Sequence, residues 1–286
     1  MRVFVTGASG FIGAHVTREL LSRGHSVTVL AVPGDTLWRL RSEAGRFAVV
    51  TGRLEDTSIV RSALTDFRPE ACVHLAWFAE HGTYLHSQEN LSSLAATLTF
   101  LRELIEANCQ HVVMAGTCAE YDTRFGFLRE DTPTRPTTLY GAAKLACWLL
   151  CEQIASQAKA NLAWGRIFYP YGPQDDARRV IPGAIRALQQ DQVFQATTGE
   201  QVRDYIHAED VASAFCLLAE KHASGLFNIA SGMPVTIRDL LTMIGGLMGR
   251  ENLIEFGARP YREWEPPFIC GDNRRLRQMG WKPRWR

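Results

Sequence analysis

Short apolar runs alternate along this chain with stretches whose apolar residues recur every three or four positions, and the alternation holds from residue 2 to about residue 168. A run of four to eight apolar residues between turn signals suits a strand buried on both faces, whereas the longer periodic stretches suit helices with one face inward. On that basis residues 2–6, HSVTVLA (25–31), RFAVVT (46–51), ACVHLAW (71–77), HVVMAG (111–116) and NLAWGRIF (161–168) predict six strands. Helices are predicted at about 11–23, 57–67, 88–108 and 139–158. Regular alternation of the two specifies an α/β fold with a parallel, doubly wound sheet. Beyond about residue 166 the rhythm breaks into a short helix (VIPGAIRALQQ), a strand leading into a helix (VRDYIHAEDVASAFCLLAE), a strand (GLFNIASG) and a further helix (TIRDLLTMIGGLMGR). With no internal repeat and no low-complexity linker, these pieces predict a second, smaller unit built from interleaved segments.

The first strand-to-helix turn carries the first chemical signal. Gly7, Gly10 and Gly13 lie between the strand at 2–6 and the helix that starts near Phe11. A tight glycine turn lets backbone amides approach a pyrophosphate, and the helix N-terminus behind it favours negative charge. A glycine trio alone also fits an ordinary turn; its place between strand and helix is the context a dinucleotide site requires. Residues 1–165 are therefore expected to form a dinucleotide-binding domain, with about 203–222 returning to it, and 166–202 with 223–286 a substrate domain. Where an NAD site usually places an acid for the ribose diol, the second strand ends in Ala31, Val32 and Pro33. That absence points to NADP, with NAD still possible. Arg39 and Arg41 are candidates for the 2'-phosphate and also fit a solvated helix face, while Asp35 is an alternative partner for a diol.

A second signal sits in LYGAAKLACWLL. Residues four apart share a helix face, so Tyr140 and Lys144 would be presented together. A free phenol has a pKa of about 10, and a neighbouring ammonium lowers it by roughly 1 to 3 units, which would suit general acid or base work. Taken alone, the pair is equally well a surface pair. Thr117 ends the strand HVVMAGT at the edge where open α/β sheets bind ligands, and its hydroxyl would hold a substrate oxygen near the phenol.

Composition narrows the field. At 286 residues and 46% hydrophobic, the chain can bury a large core, and one large domain with an appendage is the natural expectation. Thirty-one basic against 30 acidic residues leave +1, so there is no global case for nucleic acid or an anionic membrane. No apolar run reaches the roughly 18 residues of a membrane span, and the N-terminus enters a strand without a signal peptide. The 7 cysteines are odd in number and scattered through apparent strands and helices, which reads as reduced, mostly buried thiols of a cytoplasmic protein. His74, His81 and His86 have no partners at metal-ligand spacing, so no metal is expected.

GASGFIG, HLAW, Thr117 four residues before Tyr121, YGAAK, RIFYPYGP and VRDYIHAEDVA occur in this order over almost the whole chain. Together they resemble the extended short-chain dehydrogenase/reductases that act on nucleotide sugars, the group of UDP-galactose 4-epimerase and the nucleotide-sugar dehydratases. The resemblance implies a Rossmann-type domain carrying NAD(P) and a smaller C-terminal domain closing over a nucleoside-diphosphate sugar. It makes Tyr140 the acid/base, Lys144 its tuner and a ligand of the nicotinamide ribose, Thr117 the holder of the sugar oxygen, and Asn90 a residue orienting the relay. The cofactor would be lined by Gly7, Ser9, Gly10, Phe11, Ile12, Gly13, Arg39, Leu54, Leu75 and Ala76, besides Tyr140 and Lys144. Thr117, Tyr169, Arg203 and Arg259 would face the substrate, the two arginines pairing with its diphosphate or, alternatively, serving as structural ion pairs. A homodimer through the helices at 88–108 and 139–158 is also implied, although burial of those faces within one subunit fits equally.

Three positions depart from the family pattern. Cys118 and Ala119 replace the Asp-Glu pair with which dehydratases eliminate a sugar hydroxyl, Tyr169 replaces an Asn of the epimerases, and Arg53 replaces the usual Asp after the third strand. The expectation is therefore an oxidoreductase that reduces the keto group of a nucleoside-diphosphate 4-keto-6-deoxy sugar. A 4-epimerase with tightly bound NAD is the alternative, and a non-catalytic NAD(P)-binding sensor or scaffold a remote one.

Overall fold

The computed structural model describes residues 1–261 and 265–285. Its first half runs β1 (Arg2–Thr6), α1 (Phe11–Ser22), β2 (Ser26–Ala31), β3 (Ala48–Thr51), α2 (Thr57–Phe67), β4 (Ala71–His74), α3 (Glu89–Glu106), β5 (His111–Thr117), the short β6 (Phe127–Leu128) and α4 (Leu139–Gln157). It continues with β7 (Asn161–Ile167), β8 (Tyr169–Tyr171), α5 (Val180–Gln189), β9 (Phe194–Ala196), β10 (Val202–His207), α6 (Ala208–Glu220), β11 (Gly225–Ile229), β12 (Pro234–Thr236), α7 (Ile237–Met248), β13 (Ile254–Phe256), β14 (Cys270–Gly271) and α8 (Arg274–Gln278).

Seven parallel strands form the central sheet in the order β11-β7-β5-β4-β1-β2-β3. β1, β4, β5 and β7 are buried almost throughout, as strands must be when helices cover both faces. One apolar core joins the sheet to α1 and α6, and a second joins its other face to α2, α3 and α4. Strand order reverses between β1 and β4, which opens the crevice where such sheets bind ligands. Smaller sheets, β12-β10-β8, β13-β9 and β14-β6, stand beyond the C-terminal edge, with α5 and α7 over a core of Ala184, Leu188, Ala196, Ile237, Leu241 and Ile254. All seven cysteines are buried free thiols. Among the described residues no helix is long and apolar enough to cross a membrane.

The expected segment boundaries need correction at two places. Residues 203–207 do not join the large sheet: β10 pairs with β8 and β12, and α6 alone returns to cover the large sheet. Conversely, β11 lies within 223–286 yet forms the outer strand of the large sheet against β7. Leu276 of α8 and Trp281 enter the same core as α1 and α6. Trp281 donates from Nε1 to Ser213 Oγ at 3.0 Å, and the Asp210 carboxylate accepts from the amides of Arg284 (2.7 Å) and Trp285 (3.1 Å). An apolar strand pattern reports burial, not which of two sheets supplies the neighbour.

Candidate active site

The glycine turn has the form a dinucleotide needs. Gly7 adopts a φ of 71°, and a Cβ there would stand 2.6 Å from the Ala76 amide nitrogen, because the turn packs on the backbone of Leu75 and Ala76 after β4. At Gly13 a Cβ would lie 1.9 Å from the Gly7 carbonyl oxygen, so α1 can approach the turn only with glycine at this position. Helix α1 begins at Phe11 and Ile12 with no side-chain cap at Gly10 and no acid in its first turn. Its leading amides are thus left for an anion, and the residues present fit a pyrophosphate. Arg39 lies over this turn: Nη1 donates to the Ser9 carbonyl at 3.0 Å and Nε to that of Gln174 at 3.2 Å, while its guanidinium covers the Trp38 ring. Asp35 caps the Leu37 amide at 2.9 Å, and Leu54 packs into the core beside α2.

Thr117, Tyr140 and Lys144 converge where β5 ends. Helix α4 starts on Thr138, whose Oγ1 accepts from the Gly141 amide at 3.1 Å. The Tyr140 amide donates to the Leu85 carbonyl at 3.0 Å, and the Tyr84 ring meets the Tyr140 ring edge-on at 4.9 Å. Thr117 is close enough to the phenol to favour its ionised form. Lys144 is buried; its Nζ donates to the Ala115 carbonyl at 2.9 Å and lies 3.7 Å from the centre of the Trp77 ring.

This geometry corrects the electrostatic expectation. The ammonium is directed at a carbonyl and an indole face, and the phenol's acidity is not enhanced. Burial pushes the Tyr140 pKa up from its ordinary value, Tyr84, Glu120 and Cys118 push the same way, and Thr117 pulls against them. Burial likewise brings Lys144 down to about 8. His74 is a structural strut: its Nδ1 and Nε2 pair with the hydroxyls of Thr6 (2.7 Å) and Thr97 (2.9 Å), and burial, then the Lys144 charge, holds its pKa at about 3.

Asn90 is fully buried, and its side-chain amide is engaged with Trp77, Tyr84 and Ser87. It donates to the carbonyls of Tyr84 (2.6 Å) and Ser87 (2.9 Å), while its Oδ1 accepts from Trp77 Nε1 at 2.8 Å. It therefore reaches the relay through Trp77, the ring that carries Lys144. Of the predicted substrate contacts, Arg203 is buried, pairs with Glu265 at 2.7 Å and lies 5.5 Å from the centre of the Tyr169 ring. Cys118 links this pair to the relay, being within electrostatic range of Tyr140, Tyr169 and Arg203; its burial pushes the thiol up to about 12. Arg259 stands apart on an exposed loop, held by its amide to the Ala196 carbonyl at 3.1 Å. Arg53 is exposed, with its amide donating to Asp56.

Sequence reasoning missed Trp77, Tyr84, Glu265 and Glu120. Only Glu120 had a readable signal, since a Glu three residues after Thr117 has capping-box spacing.

Known proteins resemble this chain in sequence and in fold. The sequence model of the family described as "NAD dependent epimerase/dehydratase family" matches residues 3–230. The dTDP-6-deoxy-L-talose 4-dehydrogenase (NAD(+)) of Aggregatibacter actinomycetemcomitans is 27% identical over 279 residues, 95% of this chain and 99% of that protein. The UDP-glucose 4-epimerase of Halalkalibacterium halodurans is 26% identical over 317 residues, covering 100% of this chain and 91% of that one. Among solved structures, the UDP-glucose 4-epimerase of Thermus thermophilus in complex with NAD is 25% identical, superposes with a TM-score of 0.85, and is matched over 99% of this chain and 94% of that one.

Proposed function

Because this chain belongs to the NAD dependent epimerase/dehydratase family, we propose that it reduces the keto group of a nucleoside-diphosphate 4-keto-6-deoxy sugar with NAD(P)H. The observation that carries the reading is the meeting of Thr117, Tyr140 and Lys144 beside the glycine turn, with Cys118 and Ala119 where an eliminating enzyme needs acids. A phenol holds its proton at neutral pH and is thus available as the acid of a reduction. The cofactor supplies hydride when bound. Tyr140 donates its proton to the developing alkoxide, Thr117 holds that oxygen beside the phenol, and Lys144 with Trp77 and Asn90 keeps the inner wall of the site rigid. Arg203 and Tyr169 face the nucleotide diphosphate, with Arg259 as an outer contact. A relative matched over 99% of its length is named for a 4-dehydrogenase of a dTDP-6-deoxy sugar, which supports the carbon-4 assignment. Arg39, seated on Ser9, favours the phosphorylated cofactor. Exposed Leu91 on α3 and Leu149 and Leu150 on α4, 47 to 52% accessible, fit a dimer through these two helices.

The alternative is a 4-epimerase, favoured by the full-length match to UDP-glucose 4-epimerases. One experiment separates the two. Purified protein is given dTDP-4-keto-6-deoxyglucose and its CDP and GDP counterparts with NADH or NADPH. Cofactor oxidation is expected, with Tyr140→Phe slower by about 10²- to 10⁴-fold and cofactor binding retained. No oxidation with any of the three sugars sinks the reductase, and NAD that co-purifies with sugar interconversion in its absence from the buffer establishes the epimerase.

A further inference from the structure

Beneath the candidate relay lies an ion pair that none of the steps above uses. Glu120 and Arg166 are 0% and 1% exposed, and Glu120 Oε2 accepts from Arg166 Nε at 2.6 Å. Its other oxygen, Oε1, accepts from the Thr117 amide at 2.8 Å and from Trp164 Nε1 at 3.0 Å. The Thr117 hydroxyl in turn accepts from the Ala119 amide at 3.2 Å, so the backbone from 117 to 120 is tied at both ends. Gly116 leaves the room this requires, since a Cβ there would lie 2.7 Å from Glu120 Oε1 and 2.0 Å from Trp164 Nε1.

Stability does not account for such a pair. Two desolvated charges are commonly replaced by apolar residues at no loss, and here the Arg166 Nη1 is left without a partner. What the pair does supply is a fixed place for Thr117. We propose that Glu120, with Arg166 as its counter-ion, is a positioning residue that holds Thr117 under the Tyr140 phenol. This rests on the reading of Thr117 and Tyr140 as the proton-transfer pair.

The groups around the phenol are Tyr84 from the loop before α3, Thr117 at the end of β5, and Cys118 and Glu120 from the turn after it. Those around Lys144 are Glu120, Cys147, Cys151 and His74. Arg166 faces Glu120 and, 4.2 Å away, the Tyr121 ring. Of all these, Glu120 is the carboxylate, and removing it alone leaves the Arg166 charge uncompensated, which favours proton release by both the phenol and the ammonium.

The test uses Glu120→Gln and the double variant Glu120→Gln/Arg166→Met, which avoids stranding the guanidinium if the single variant fails to fold. In the wild type and both variants, loaded with NAD⁺ and carrying ¹³C-labelled tyrosine, the Tyr140 resonance is assigned with Tyr140→Phe and followed against pH. The expected result is a midpoint moved to lower pH in Glu120→Gln, where Arg166 is left uncompensated, and moved less in the double variant, where both charges are gone, with kcat for the keto sugar down about tenfold or more and KM within about twofold in both. An unchanged Tyr140 midpoint and an unchanged kcat in a folded variant would overturn the proposal and leave the pair a core feature. If the wild type turns over none of the keto sugars, the reductase reading fails by itself, and the tyrosine titration still decides the role of Glu120.

Discussion

Replacing Gly141 by alanine tests the seat on which Tyr140 rests. An added Cβ would lie 2.5 Å from the Ala119 carbonyl oxygen and 3.1 Å from Pro136 Cβ. Real Cβ atoms essentially never come within 3.0 Å of such atoms, so the first turn of α4 must retreat from the Cys118–Glu120 turn by about 0.5 Å at least, and by about 1 Å for relaxed contact. That gap opens between Tyr140 on the helix and Thr117 at the head of the turn, where proton transfer needs hydrogen-bond distance. A displacement of about 1 Å costs on the order of 10²-fold in rate. Stability should change by a similar or smaller amount, because overpacking of about 1–3 kcal/mol is offset by up to about 1 kcal/mol of helix propensity gained over glycine. At about 2–4 °C per kcal/mol, the melting temperature falls by about 10 °C at most. Keto-sugar-dependent NAD(P)H oxidation and thermal melting by circular dichroism measure the two effects. A variant with the wild-type rate and an unchanged melt would show that Tyr140 does not depend on contact between helix and turn, and the reasoning would fail.

Two other perturbations address the cofactor and the core. Arg39→Met should reduce preference for NADPH over NADH by about tenfold, the loss of one charge-assisted contact, with NADH kinetics nearly unchanged; equal losses with both cofactors would place Arg39 in a purely structural role. His74 binds a proton only below about 3 when folded but at 6.5 when unfolded, so its share of stability is complete above 6.5 and is lost as pH falls towards 3. That share is at most about 4–5 kcal/mol. In urea titrations across this range His74→Gln should flatten the acid side of the stability curve by about one proton, and an unaltered slope would contradict a buried neutral imidazole.

Much of this architecture was legible because its strands and helices are strongly periodic and its turns chemically marked. β1, the glycine turn at 7–13, β5 with Thr117, and the α4 pair of Tyr140 and Lys144 all stand where the residue pattern puts them. What sequence could not supply was the direction in which long side chains point. Tyr140 and Lys144 share a helix, yet Lys144 is drawn to the Ala115 carbonyl and the Trp77 ring, partners contributed by β5 and by the segment after β4. Spacing along one element carries no information about acceptors offered by another. The same limit explains β11, whose apolar run announces a strand but not the β7 edge it joins, and Arg259, for which the family resemblance gave no sign that the loop would stand exposed.

The placement of β11 and Trp281 has a consequence for biosynthesis. A nascent chain that has emerged only as far as α6 presents β7 as a bare edge and lacks the indole that closes the layer over α1, so the amino-terminal half has no finished form of its own while translation continues. Such an edge is a template for pairing with other chains. Truncations ending near residue 222 should accumulate as aggregates, whereas the cofactor-binding half becomes competent only after residues 225–281 have left the ribosome.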